Sequence, residues 1–171
     1  MNLYDQSIAT YRSRLDMLMG LLNKAKAHSK GDALLQSKLA DDMLPLSTQV
    51  RFISNIPGEA VSRLGVRTFT SSEEEIATFA HAMERVAQST AMLDEIGAND
   101  LPSPDAQVEF SIGGGAYSFA MSAEAYVREF SLPNFYFHLT TVYAILRMEG
   151  LEIGKADFIP HMMRYFVKPA G

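Results

Sequence analysis

At 171 residues the chain has the length of one domain, enough to bury roughly two thirds of the surface it exposes when unfolded. A hydrophobic fraction of 47% with 20% charged residues argues against a disordered chain, and a net charge of −5 with no cluster of Lys or Arg argues against nucleic acid as a partner. The complete lack of cysteine removes disulfides, thiolate metal sites, iron–sulfur clusters and thiol nucleophiles. No apolar run approaches the ~20 residues of a membrane span, and Met1-Asn2-Leu3-Tyr4-Asp5 shows no signal-peptide pattern, so a cytoplasmic protein without a membrane partner is expected.

The first segment, about Leu3 to His28, reads as a helix. Tyr4, Ile8, Tyr11, Leu15, Leu18, Leu22 and Ala25 recur at steps of four and three, which aligns them in one apolar stripe. Gly31 supplies the stop, and Leu34 with Leu35 fits one helical turn in the connection that follows. Asp41 or Asp42 is expected to cap a second helix, with Pro45 in its first turn and Leu46, Val50, Ile53, Pro57, Ala60 and Leu64 facing inward. Pro57-Gly58 is expected to kink or split that helix before Gly65 ends it.

Ser71-Ser72-Glu73-Glu74-Glu75 reads as a capping box that opens a third helix running to about Ile96. Ile76, Phe79, Met83, Val86, Thr90 and Leu93 are its expected core residues. After a turn-rich stretch, Gln107–Ile112 alternates with period two, Gly113-Gly114-Gly115 supplies a turn, and Tyr117–Phe119 returns, giving a β-hairpin over about 107–120. Ser122 opens a last helix that Pro133 divides into about Ala123–Ser131 and Pro133–Glu149. The tail from about 151 to 171 is too apolar to hang free, so it is expected to pack on the bundle or on a second subunit. Residues 1–171 therefore describe a single all-α domain, a four-helix bundle with a small β-hairpin inserted before the last long helix.

The chemistry-bearing residues gather in Leu132–Arg147, a nearly uncharged run that holds one histidine. Asn134, His138 and Thr141 fall on one helix face, either lining a pocket or forming a hydrogen-bond network between helices. Tyr136, Thr140, Tyr143 and Arg147 form a neighbouring row suited to a subunit contact. Of the four histidines, His81 reads as a surface residue and His161 sits in the tail without a pattern around it. His28 and His138 remain as the one inward pair, either as core and capping residues or as ligands of a divalent metal. Gly113-Gly114-Gly115 lacks the Gly-Lys-Ser/Thr ending of a phosphate loop, and Ser47, Ser54 and Ser62 lack a nucleophile-elbow setting.

Leu132-Pro133-Asn134-Phe135-Tyr136-Phe137-His138, then Tyr143-Ala144-Ile145-Leu146-Arg147, with Lys24-Ala25-Lys26-Ala27-His28 upstream, resembles a family of uncharacterised bacterial proteins grouped with the DinB/YfiT-like bundles. The resemblance reaches from the first helix to about Asp157 and implies a DinB-like four-helix bundle that is frequently a homodimer. It also implies kinship with metalloenzymes that bind a divalent metal (Zn, Ni, Mn or Fe) through three histidines, some of them thiol-dependent transferases, isomerases or hydrolases. Such relatives carry one histidine on the second helix and a His-x-x-x-His pair on the last, whereas this chain has only His138 there. Two readings follow. The first is a homodimeric, non-catalytic member with a degenerate metal site and a small apolar ligand in a pocket formed by His138, Asn134, Thr141, His28 and Tyr136. The second is a metal-dependent enzyme that uses His28 and His138.

Overall fold

The computed structural model describes residues 2–168, so Met1 and the last three tail positions, 169–171, lie outside it. Four long helices form the frame: α1 (Ile8–Ala25), α2 (Leu46–Arg63), α3 (Phe79–Asp94) and α4 (Leu132–Met148). One antiparallel hairpin, β1 (Gln107–Ile112) and β2 (Tyr117–Ser122), precedes α4, with Val108 opposite Met121 and Phe110 opposite Phe119. Helix α2 packs along both α3 and α4, and α1 packs along α3. Among the described residues no helix is long and apolar enough to cross a membrane.

The core is built from the stripes that the periodicity marks. Ile8, Tyr11, Leu15, Leu18, Leu22 and Ala25 of α1 are buried, as are Leu46, Val50, Ile53, Pro57 and Ala60 of α2. Tyr11 meets Phe135 edge-on at 5.0 Å and so ties α1 to α4. The first helix is not continuous from Leu3, however. A short lead-in, Leu3–Gln6, breaks at Ser7, whose hydroxyl turns back to donate to the Leu3 carbonyl at 2.6 Å.

Two helix starts differ from expectation. Helix α2 begins at Pro45, not at Asp41 or Asp42, which stay exposed in a turn. Ser37 supplies the missing acceptor there, because its carbonyl takes the Leu46 N–H at 2.9 Å. Helix α3 begins after Thr78, not at Ser71 or Ser72. The Thr78 hydroxyl accepts from the His81 N–H at 3.1 Å, and the Asp32 carboxylate from the distant connection accepts from the Phe79 N–H at 2.8 Å.

The polar run that resembles a capping box is spent on α2. Asn55 receives the Ser72 N–H at 3.2 Å and donates to the Ser72 carbonyl at 2.9 Å, holding residues 66–78 as an extended strap. Ser71 donates to Glu59 at 2.7 Å, and Arg51 pairs with Glu73. With these groups committed, the backbone has no reason to coil until Thr78.

Neither proline splits its helix. Pro57 lies buried inside α2, which runs unbroken across it. Pro133 sits in the first turn of α4, and the chain upstream is π-helical over Tyr126–Ser131 rather than separated from it. A proline ring clashes with the carbonyl four residues earlier in an α-helix, and the wider π-turn covering Glu129 makes room for it. The helix therefore passes through Pro133 without a break.

The hairpin is seated by aromatic packing. Phe110 is buried, 4.7 Å from Phe130 and 5.2 Å from Tyr126, with the Arg63 guanidinium 4.9 Å from its ring centre. Gly113, Gly114 and Gly115 all have positive φ (61°, 65° and 93°), the conformation that the turn requires. In the tail, Ile153 is buried, Phe158 meets Tyr143 edge-on at 5.5 Å and Lys24 pairs with Asp157 at 2.6 Å. Beyond these contacts Met162, Met163, Tyr165, Phe166 and Val167 are exposed.

Candidate functional site

His138 projects from the middle of α4 towards the start of α2. Its Nδ1 lies 2.7 Å from Gln49 Oε1, which can only accept, so Nδ1 carries the proton. The Gln49 Nε2 donates in turn to the Leu44 carbonyl at 3.1 Å, which fixes the orientation of the amide. Phe52 and Phe137 flank the imidazole at 4.8 and 5.3 Å between ring centres. Burial lowers the His138 pKa from 6.5 to about 4, because the charged form loses water without gaining an acid partner. The ring is thus neutral at pH 7, and its Nε2 makes no hydrogen bond with another described residue.

The other residues of that helix do not converge on His138. Thr141 is buried and returns its hydroxyl to the Phe137 carbonyl of its own helix at 2.8 Å. Asn134 is half-buried and makes no side-chain hydrogen bond to another described residue. Tyr136 accepts from Arg14 Nε at 2.9 Å, across the α1–α4 contact. What α4 does form is a shallow groove of about 410 Å³ lined almost wholly by carbon, with Leu39, Tyr136, Phe137, Thr140, Thr141 and Ala144 as its walls. His138 does not line it. The Phe137 ring, 59% exposed, lines the groove and lies edge-on to the imidazole.

His28 is engaged elsewhere. Its Nδ1 accepts from the Lys30 N–H at 3.2 Å, and its Nε2 donates to the Glu149 carbonyl at 3.1 Å, tying the end of α1 to the end of α4. Lys30 also pairs with Glu149 and holds that carboxyl below the usual carboxylate range. Glu149 follows His138 by eleven residues, about 16 Å along a helix axis, so His28 and His138 occupy different levels of the bundle. His81 is half-buried with Nε2 3.8 Å from Glu74, a closer setting than a surface residue would have. His161 lies beside Arg14 in a cleft under the tail.

These donors do not fit a three-histidine metal centre. His28 has both nitrogens committed, His138 keeps only Nε2, and Gln49 stands on the second helix where the resemblance implies a histidine. Among the described residues no three His, Cys, Asp or Glu side chains gather around a point that could hold an ion. Gln49 is the residue beside His138 that sequence reasoning passes over. Its signal is a lone amide, 2% exposed, beside the apolar stripe of Leu46, Val50 and Ile53.

Comparison with known proteins agrees with this architecture. A crystal structure of a DinB family member from Shewanella denitrificans superimposes with a TM-score of 0.77 at 27% identity, covering 100% of this chain and 99% of that one. No curated protein matches the chain. The model of the family described as a domain of unknown function, DUF1993, matches residues 3–159. With a DinB-like helical bundle, a hairpin before the last helix and a family match over nearly its whole length, the chain belongs to the DUF1993 family.

Proposed function

We propose that the protein is a non-catalytic, homodimeric DinB-like bundle of the cytoplasm that binds a small apolar ligand in the α4 groove and carries a degenerate metal site. The observation that supports it most is the state of His138: neutral, held by an amide and walled by two aromatic rings beside a carbon-lined groove. An imidazole with a pKa near 4 is a poor general base at pH 7, since proton transfer works best near the operating pH. The exposed Phe137 and the apolar tail end at Met163, Tyr165 and Phe166 favour self-association.

The test is titration of metal-free protein with an uncharged apolar dye such as Nile red, alongside sedimentation analysis. Saturable binding that Phe137→Ser weakens several-fold, in a dimer, supports the reading. No saturable binding, or strong hydrolase or transferase turnover by the metal-free protein, overturns it.

The alternative, a divalent-metal-dependent transferase or hydrolase, draws on one feature: the neutral His138 Nε2 keeps a lone pair that no described residue uses. Elemental analysis of protein purified without an affinity tag, compared with His138→Ala, decides between them. Stoichiometric metal in the parent and its loss in the variant would favour the enzyme.

A further inference from the structure

A second concavity lies between α2 and α3 under the strap, and nothing in it depends on the α4 groove. Its volume is about 210 Å³, larger than the roughly 150 Å³ that suffices for a benzene ring in a protein interior. Arg85, Ser89 and Met92 face it from α3, at steps of four and three that place them on one side of the helix, and Arg67 and Phe69 close it from the strap.

Two of these residues are left with unmet demands. Ser89 is 7% exposed, and its Oγ has no hydrogen-bond partner among the described residues. It stands in the buried stripe of Phe79, Ala82, Val86 and Leu93, where an alanine would pack without leaving a polar atom unsatisfied. Arg85 donates only to neutral acceptors, Gln88 Oε1 at 3.2 Å and Asn55 Oδ1 at 3.4 Å, and among the described residues no carboxylate pairs with it. That is unforced in a chain of net charge −5. Arg67, by contrast, is already matched by Glu95 at 2.8 Å. The pocket therefore carries one positive charge that no described carboxylate matches, while the Ser89 hydroxyl is sealed beneath its wall.

The opposite wall is apolar and fixed. Phe69 lies flat on α2 at Gly58, so closely that a methyl group at Gly58 would come within 2.4 Å of its ring. Met92 adds a thioether that adapts to an irregular apolar surface. One cation without a carboxylate partner and a hydrophobic wall match a monoanion with a carbon body better than a phosphate, whose second charge would find no free partner, since Arg67 is held by Glu95.

We propose that this pocket binds a small organic acid. Its carboxylate accepts from Arg85, and its apolar body lies against Phe69 and Met92. The experiment is calorimetric titration of the full chain at pH 7 and low salt with benzoate, with uncharged benzamide and inorganic phosphate as controls. Benzoate is expected to bind saturably and benzamide at least about tenfold more weakly, the factor that a charge-assisted hydrogen bond typically carries. Arg85→Gln should lose benzoate binding by at least about tenfold. Absent benzoate binding, benzamide equal to benzoate, phosphate binding more tightly, or affinity unchanged in folded Arg85→Gln would each overturn the proposal.

Discussion

Gln49 and His138 act as one unit: the imidazole Nδ1–H donates to the amide oxygen at 2.7 Å, and the amide N–H of Gln49 donates onward to Leu44. Removing the amide leaves a half-buried N–H unpaired. Gln49→Ala should therefore cost about 1–3 kcal/mol in urea unfolding. Gln49→Glu should instead raise the His138 pKa from about 4, because a carboxylate beside the ring favours its protonated form. NMR titration of the imidazole protons checks the direction, and an unmoved pKa would show that the two side chains do not interact as described.

The depressed pKa of His138 makes stability depend on pH with a defined sign. Its folded value of about 4 lies below the unfolded 6.5, so between these values the unfolded chain binds more protons. Stability is complete above pH 6.5 and declines as the pH falls towards 4. With allowance for its partial exposure, the loss assigned to His138 is about 1–2 kcal/mol. Chemical denaturation at pH 7 and pH 4.5 should show this decrement in the parent and a smaller one in His138→Gln.

Gly58 sets two effects against each other. Replacing a mid-helix glycine with alanine normally stabilises by roughly 0.5–1 kcal/mol. Here the new methyl group would lie 2.4 Å from two ring carbons of Phe69 and 2.6 Å from a third, so the strap must lift. The clash should win, and Gly58→Ala is expected to destabilise by about 1–3 kcal/mol. In a Phe69→Ala background the same change should become neutral or stabilising, and a double-mutant cycle measures the difference.

Tyr11 buries its hydroxyl completely, 2.6 Å from Ser131 Oγ, and burial pushes its pKa well above the usual phenol range. The phenol therefore stays protonated. Tyr11→Phe removes one partner and leaves the Ser131 hydroxyl buried, which should cost about 1–2 kcal/mol by thermal or urea unfolding. A cost near zero would mean that Ser131 finds another acceptor within its own helix.

The bundle is legible in the sequence because burial follows the helical period, and the stripes of α1 and α2 are buried at the positions that spacing marks. Where the reading fails, side chains distant in sequence decide the outcome. The Ser72 backbone is held by Asn55 and opens no helix at the three glutamates after it, and Phe79 takes its capping carboxylate from Asp32. In α3 the half-buried Met83 and Thr90 give way to Ala82 and Ser89, a rotation that a mixed polar helix leaves undetermined. Near His138 the residue type was readable but the partner was not, since Gln49 lies 89 positions away and belongs to no motif.

The π-turn at Tyr126–Ser131 sets the angular phase between the two halves of the last helix. Its extra residue per turn lets Tyr126 meet Phe110 of the hairpin while Phe135 meets Tyr11 of α1. Deleting one residue here with a return to α pitch would leave the two halves nearly in phase, because about six residues at the π pitch turn as far as about five at the α pitch. Adding one residue at α pitch would instead swing everything upstream by about 100°. The Phe110–Tyr126–Phe130 stack would then point away from Arg63, and the hairpin would be carried off its seat. Substitutions along this segment should thus be tolerated far better than an insertion.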